Sequence, residues 1–142
     1  MIVKPRDSYK AYRIAPTDSN KMILLFDPMT DGTSFVSIIE VFDIGGRTPP
    51  NMHEVAQEMF YVLSGTGRAH CGEQAADMGP GDCMMVPPGS WHEVENTGPT
   101  KLYCLTVMTP NEGFAELILA GVADEIDDED WAVIGGSNLA AH

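Results

Sequence analysis

Positive charge is scarce in this 142-residue chain: eight lysines and arginines stand against 21 aspartates and glutamates, a formal net charge of −13. A surface of that sign repels phosphate backbones and anionic lipid head groups, so neither nucleic acid nor a membrane is expected as a partner. Long apolar runs are missing too, none approaching the roughly 18 residues a membrane helix needs. The opening Met1-Ile2-Val3-Lys4-Pro5-Arg6 lacks the apolar segment of a secretory signal. The expected setting is cytoplasmic and the expected partner a small molecule. Cysteine is limited to Cys71, Cys83 and Cys104, an odd set without the short paired spacing of a zinc site. All three fall in apolar or strand-like runs and read as reduced, buried thiols. No serine-nucleophile, phosphate-loop or dinucleotide motif is present, and Gly65-Thr66-Gly67 reads as a turn between strands.

Turn residues are plentiful, with 14 glycines and 10 prolines. Asp31-Gly32, Gly45-Gly46, Gly65-Thr66-Gly67, Gly79-Pro80-Gly81-Asp82, Pro87-Pro88-Gly89 and Asn96-Thr97-Gly98-Pro99 punctuate the span from Met22 to Met108. The β-rich runs between them predict strands over 22–26, 34–43, 58–63, 68–71, 83–86, 91–95 and 102–108. So many reversals in a short span favour an all-β, antiparallel barrel or sandwich over βαβ units. The expected division is an N-terminal strand and arm over 1–32, a barrel core over 33–108, and a helix with an acidic tail over 109–142.

Past Thr109-Pro110-Asn111 the period changes. Phe114, Leu117, Ile118 and Val122 recur at helical spacing behind an Asn or Thr cap, which predicts a short C-terminal helix packed on the barrel. Asp124, Glu125, Asp127, Asp128, Glu129 and Asp130 lack the glycine and closing glutamate of a calcium loop and read as a solvated acidic face. Trp131 is expected to pin the tail to the barrel or to a second subunit. His70 and His142 read as surface residues.

Two segments concentrate the residues that carry chemistry. The first runs from Gly45 to Gly65 and contains Asn51, His53, Gln57 and Glu58; the second runs from Gly81 through Pro87, Gly89 and His92 to Asn96. At these residues the sequence resembles the cupin superfamily, specifically its compact bacterial single-domain members. The second segment fits the second cupin motif at every fixed position. The first departs once, with Asn51 where the usual first histidine stands. The resemblance covers about Phe35 to Met108 and implies an antiparallel double-stranded β-helix, the jelly-roll or cupin barrel, commonly paired as a homodimer.

Residue geometry bears on which side chains converge. Asn51 and His53 are two apart on an extended segment and share a face. Glu58 lies an odd step further on, so an irregularity around Glu54-Val55-Ala56 is needed to turn it inward; without one, Gln57 faces in. Family spacing favours Glu58 and leaves Gln57 as the alternative. The Pro87-Pro88-Gly89 turn can deliver His92 to the same cavity. Two imidazoles and a carboxylate suit a divalent transition metal (Fe, Mn, Ni, Co or Zn) and resemble the facial triad of non-haem Fe(II) oxygenases. Asn51 offers only a weaker amide oxygen. Period two adds Phe60, Val62 and Val94 as an apolar lining, with Met84, Met85 and Tyr103 as further candidates. Arg47 is the first choice to clamp a substrate carboxylate, ahead of Arg68 and Lys101. The function the resemblance implies is a metal-dependent enzyme on a small oxygenated molecule, leaning to a dioxygenase, with an isomerase or lyase, or a non-catalytic ligand-binding sensor, as alternatives.

Overall fold

A computed structural model describes residues 1–135 of the chain; His142 lies outside them. Ten strands form two antiparallel sheets. They are β1 (Lys10–Arg13), β2 (Asn20–Phe26), β3 (Val36–Phe42), β4 (Gln57–Ser64), β5 (Gly67–Cys71), β6 (Gln74–Met78), β7 (Cys83–Val86), β8 (His92–Asn96), β9 (Leu102–Thr109) and β10 (Val122–Asp124). The larger sheet has the order β10-β1-β2-β3-β9-β4-β7 and the smaller one β6-β5-β8. The architecture is the antiparallel jelly roll that the family resemblance implies, within the barrel-or-sandwich class that the turn-punctuated sequence favours. Among the described residues no helix is long and apolar enough to cross a membrane.

Period-two alternation determines what faces inward. In β4, Glu58, Phe60 and Val62 are buried while Gln57, Tyr61 and Leu63 are exposed; in β8, His92, Val94 and Asn96 are buried. Phe42, Phe60, Val62, Val86, Val94 and Leu102 belong to the core enclosed by these strands. β3 is buried along its whole length because both faces of the sheet are covered there. Ile38 packs in a cluster with Ala115 and Ile118, whereas Ile39 and Val41 pack in another with Ile23 and Tyr103. The register pairs Met22 with Glu40, Glu40 with Cys104, and Phe60 with Thr106, so one continuous inward face runs across β2, β3, β9 and β4.

Several expectations need correction. β6 went unseen because Gln74, Ala75, Ala76 and Asp77 have weak strand preference; its exposed edge position is sustained by pairing with β5 across the Gly72 turn. The predicted C-terminal helix stops early: α2 follows α1 (Pro28–Asp31) in chain order and covers only Phe114–Leu119. Val122 begins β10, paired with β1. Gly121 permits this switch, since a Cβ there would collide with the carbonyl oxygen of Arg13. The N-cap position of α2 is Gly113, although Asn111 Oδ1 does accept from the Ala115 amide at 2.8 Å.

The acidic tail is not simply a solvated face. Asp127 and Asp130 form a reciprocal capping box that opens α3 (Asp128–Ile134). Asp130 is fully buried and meets Lys21 Nζ, the Tyr103 hydroxyl at 2.8 Å and Lys101 Nζ at 3.3 Å. Trp131 stacks on Tyr9, with Arg6 over its ring, so it pins the tail to the chain's own N-terminal segment. All three cysteines are free, but only Cys104 is buried; Cys83 lies on the edge strand β7 and faces out.

Candidate metal centre and its cavity

Approach to the centre begins with the bend before β4. Residues 54 and 55 leave the extended path, and the Glu112 carboxylate accepts hydrogen bonds from the backbone amides of Glu54 (2.9 Å), Val55 (2.6 Å) and Ala56 (2.9 Å). These bonds, that from Val55 foremost, hold the Glu112 carboxyl below its usual range. Its backbone has a φ of 48°, rare for a side-chain-bearing residue. The bend supplies the odd step: Gln57 points to solvent and Glu58 is buried.

His92 arrives from the other sheet at the start of β8. An isolated bridge ties its backbone to Asn51, and its ring Nδ1 lies 3.1 Å from the Ser90 carbonyl, which directs Nε2 inward. His92 Nε2 lies 3.0 Å from Glu58 Oε1, and His53 Nε2 lies 3.3 Å from the same oxygen. The donor atoms of the three residues fall within 4.8 Å of one another. Donors bound about 2.1 Å from an ion are about 3.0 Å apart at an octahedral corner and about 3.4 Å at a tetrahedral one. The observed spacings therefore fit a shared ion with little rearrangement.

Without an ion the three side chains form a charge-paired set. Burial pushes the Glu58 carboxyl up, but hydrogen bonds from His53 and His92 outweigh it and hold the group below its ordinary value. Burial opposes charge on His92, yet Glu58 and the Ser90 carbonyl raise its affinity for a proton. Such a site exchanges protons for metal, since imidazoles must be neutral to ligate.

The set opens on a cavity of about 360 Å³. Asn51 lines it, but its amide nitrogen donates to the Pro49 carbonyl at 3.0 Å. Phe60 lines it as expected. Val62 and Val94 do not reach the cavity; they are buried in the neighbouring core because they lie deeper along the same strands. Met84 packs against that core, Met85 is exposed, and Tyr103 is buried on the opposite face of β9. Arg47 is outside the cavity, its guanidinium on Glu95 and 3.5 Å from Glu93. These two acids and His70 make a second cluster of possible ligands on the smaller sheet, already neutralised in part by Arg47. Arg68 pairs with Asp77 and Lys101 with Asp127. Among the described residues no lysine or arginine lines the cavity.

Two further cavity residues escaped the sequence reading. Glu40 is only 2% exposed, with Oε2 accepting from Asn20 Nδ2 at 2.8 Å and Oε1 3.4 Å from the Thr106 hydroxyl. Burial, reinforced by the negative charge of Glu58, pushes its carboxyl up to about 8 despite those bonds and nearby His92. An acid within the apolar run Ile38-Ile39-Glu40-Val41-Phe42 is a signal available in the sequence. Asn20 had none, since its place follows from strand pairing.

Comparison with known proteins agrees with this architecture. The family model for the cupin domain matches residues 38–108, half of the chain. An uncharacterized protein of Methanocaldococcus jannaschii is 29% identical over 66 residues, 45% of this chain, and the match spans 53% of that relative's length. A predicted oxalate decarboxylase from Thermotoga maritima superposes with a TM-score of 0.68 at 23% identity, covering 77% of this chain and 99% of its own. A cupin-superfamily sugar phosphate isomerase from Silicibacter pomeroyi gives 0.65 at 19% identity, covering 76% of this chain and 75% of its own. At these identities the structural likeness concerns the fold alone.

Proposed function

This chain belongs to the cupin domain family, and from that premise we propose that it is a metal-dependent enzyme acting on a small oxygenated organic molecule. The observation that carries the reading is the convergence of His53, Glu58 and His92, at 3.0 and 3.3 Å, in the wall of a partly open cavity. These three would hold a divalent ion such as Fe, Mn, Ni, Co or Zn, with Asn51 close by. The ion would supply Lewis-acid polarisation of a substrate oxygen and, if iron, access to dioxygen chemistry. Glu58 provides the charge that keeps a cation in place. Ser90 orients the His92 ring through its carbonyl, and Phe60 with neighbouring apolar side chains excludes water from the reacting groups.

The two-histidine, one-carboxylate set favours a dioxygenase. A second reading, an isomerase or lyase without oxygen chemistry, is supported by Glu40, a second buried carboxyl bordering the same cavity and able to exchange a proton with substrate. Incubation of Fe(II)-loaded protein with diketones, catechols and hydroxy acids, with and without oxygen, separates them. Oxygen uptake with oxygen atoms in the product marks the first, and equal turnover in both atmospheres marks the second. Ligand binding without turnover by any metal form refutes the enzyme reading in favour of a sensor. A homodimeric assembly is supported by exposed Tyr61, Leu63 and Met85 on the outer face of β4 and β7.

A further inference from the structure

We propose that Asn20 and Glu40 form a recognition subsite for a hydroxyl or amine group of the substrate, and that the side chains of the cavity, apart from any ion it holds, favour uncharged or cationic groups over carboxylates and phosphates. This deepens the proposed function, because it rests on the cavity being the substrate site.

Two independent observations carry it. The first is an unmet acceptor. Asn20 is 1% exposed and lines the cavity; its amide nitrogen is committed to Glu40, and its Oδ1 has no hydrogen-bond partner among the described residues. A buried carbonyl oxygen without a donor costs roughly 1–3 kcal/mol, so such an atom in a cavity wall favours a ligand that brings an O–H or N–H. Glu40 Oε2 is not that donor, because it accepts from Asn20 Nδ2. Register fixes the pair in place: Met22, between Asn20 and the rest of β2, lies opposite Glu40, and both strands turn the same face inward.

The second observation is the sign of the lining. Asp18, Glu58 and Glu112 border the cavity beside Glu40, which holds its proton at neutral pH, and among the described residues no lysine or arginine does. The three barrel cations that might have clamped an anion are all turned outward onto acids. In the metal-free cavity a carboxylate or phosphate meets like charge and finds no guanidinium fork. A hydroxyl or ammonium group meets acceptors. The remaining wall, including Met22, Phe60, Phe114 and Leu117, suits a compact hydrocarbon frame.

The test uses three ring compounds of similar size: cyclohexane-1,2-diol, 2-aminocyclohexanol and 2-hydroxycyclohexanecarboxylate. Each is titrated into metal-free and Zn(II)-loaded full-length protein, followed by calorimetry and by the side-chain amide signal of Asn20 in ¹H–¹⁵N spectra. In the metal-free protein the diol and the amino alcohol are expected to bind at least about tenfold more tightly than the hydroxy acid and to shift the Asn20 amide signal. N20A is expected to weaken the diol by about three- to tenfold, the loss of one neutral hydrogen bond. Equal or tighter binding of the hydroxy acid by the metal-free protein overturns the proposal, as does binding of none of the three or a diol affinity unchanged in N20A. Should N20A fold poorly, the wild-type comparison still decides. Failure to bind zinc sinks the metal-enzyme reading alone, because the metal-free titrations report recognition separately.

Discussion

Replacing Glu40 by Gln tests the interior electrostatics most directly. Glu40 faces Glu58 and His92 from the other strands, bonds to Asn20 and Thr106, and has its carboxyl pushed up to about 8 from an ordinary 4.5. A folded-state value above the unfolded one means that the native protein holds the proton more tightly. The associated stability is fully present below pH 4.5 and is lost as pH rises through about 8. At about 1.36 kcal/mol per pH unit that gap amounts to an upper limit on the order of 4–5 kcal/mol, and water drawn toward the charged carboxylate reduces it to about 2–3. E40Q keeps the shape and a carbonyl for Asn20 but cannot ionise. Urea denaturation of both proteins in excess chelator, from pH 5 to pH 9, gives the difference directly. Contributions from Glu58 and His92 occur in both and largely cancel. Wild type is expected to lose stability relative to E40Q across that range, so that E40Q is the more stable at pH 9. Parallel stability curves would refute a protonated Glu40 and the dry interior it implies.

Three other outcomes are expected. H53A, E58A and H92A should each abolish stoichiometric zinc or iron binding by elemental analysis while Q57A retains it, and saturating metal should stabilise the wild type by about 2.7 kcal/mol at a hundredfold excess over its dissociation constant. E112A, which frees three backbone amides at the bend before Glu58, should weaken metal affinity by about 10- to 100-fold in a chelator competition, with the overall circular dichroism unchanged. K21M, which leaves the buried Asp130 short of its closest cation, should cost about 3–5 kcal/mol in thermal or urea unfolding; a loss below about 1 kcal/mol would mean that Lys101 and Tyr103 suffice.

Much of this protein is written locally. Glycine and proline turns, with alternating apolar residues between them, determine a reversing antiparallel chain because φ restrictions and the two-residue pleat act over a few positions. The same locality makes the spacing of His53, Glu58 and His92 readable, down to the need for an irregular step before Glu58. Long-range pairing decided the rest. Strand alternation alone would turn Gln57 inward; Glu58 takes that place because Glu112, more than fifty positions away, gathers the amides of the bend. Asn20 and Glu40 reach the cavity wall through the register of β2 on β3, which no local pattern encodes. Asp130 looks like one acid in a solvated run until Lys21 and Tyr103 enclose it, and Arg47 looks like a clamp until Glu95 draws it outside. A side chain's charge and reach are in the sequence, but its partner is chosen by whichever group the fold brings within a few ångströms. That is where desolvation and Coulomb energies become large enough to decide.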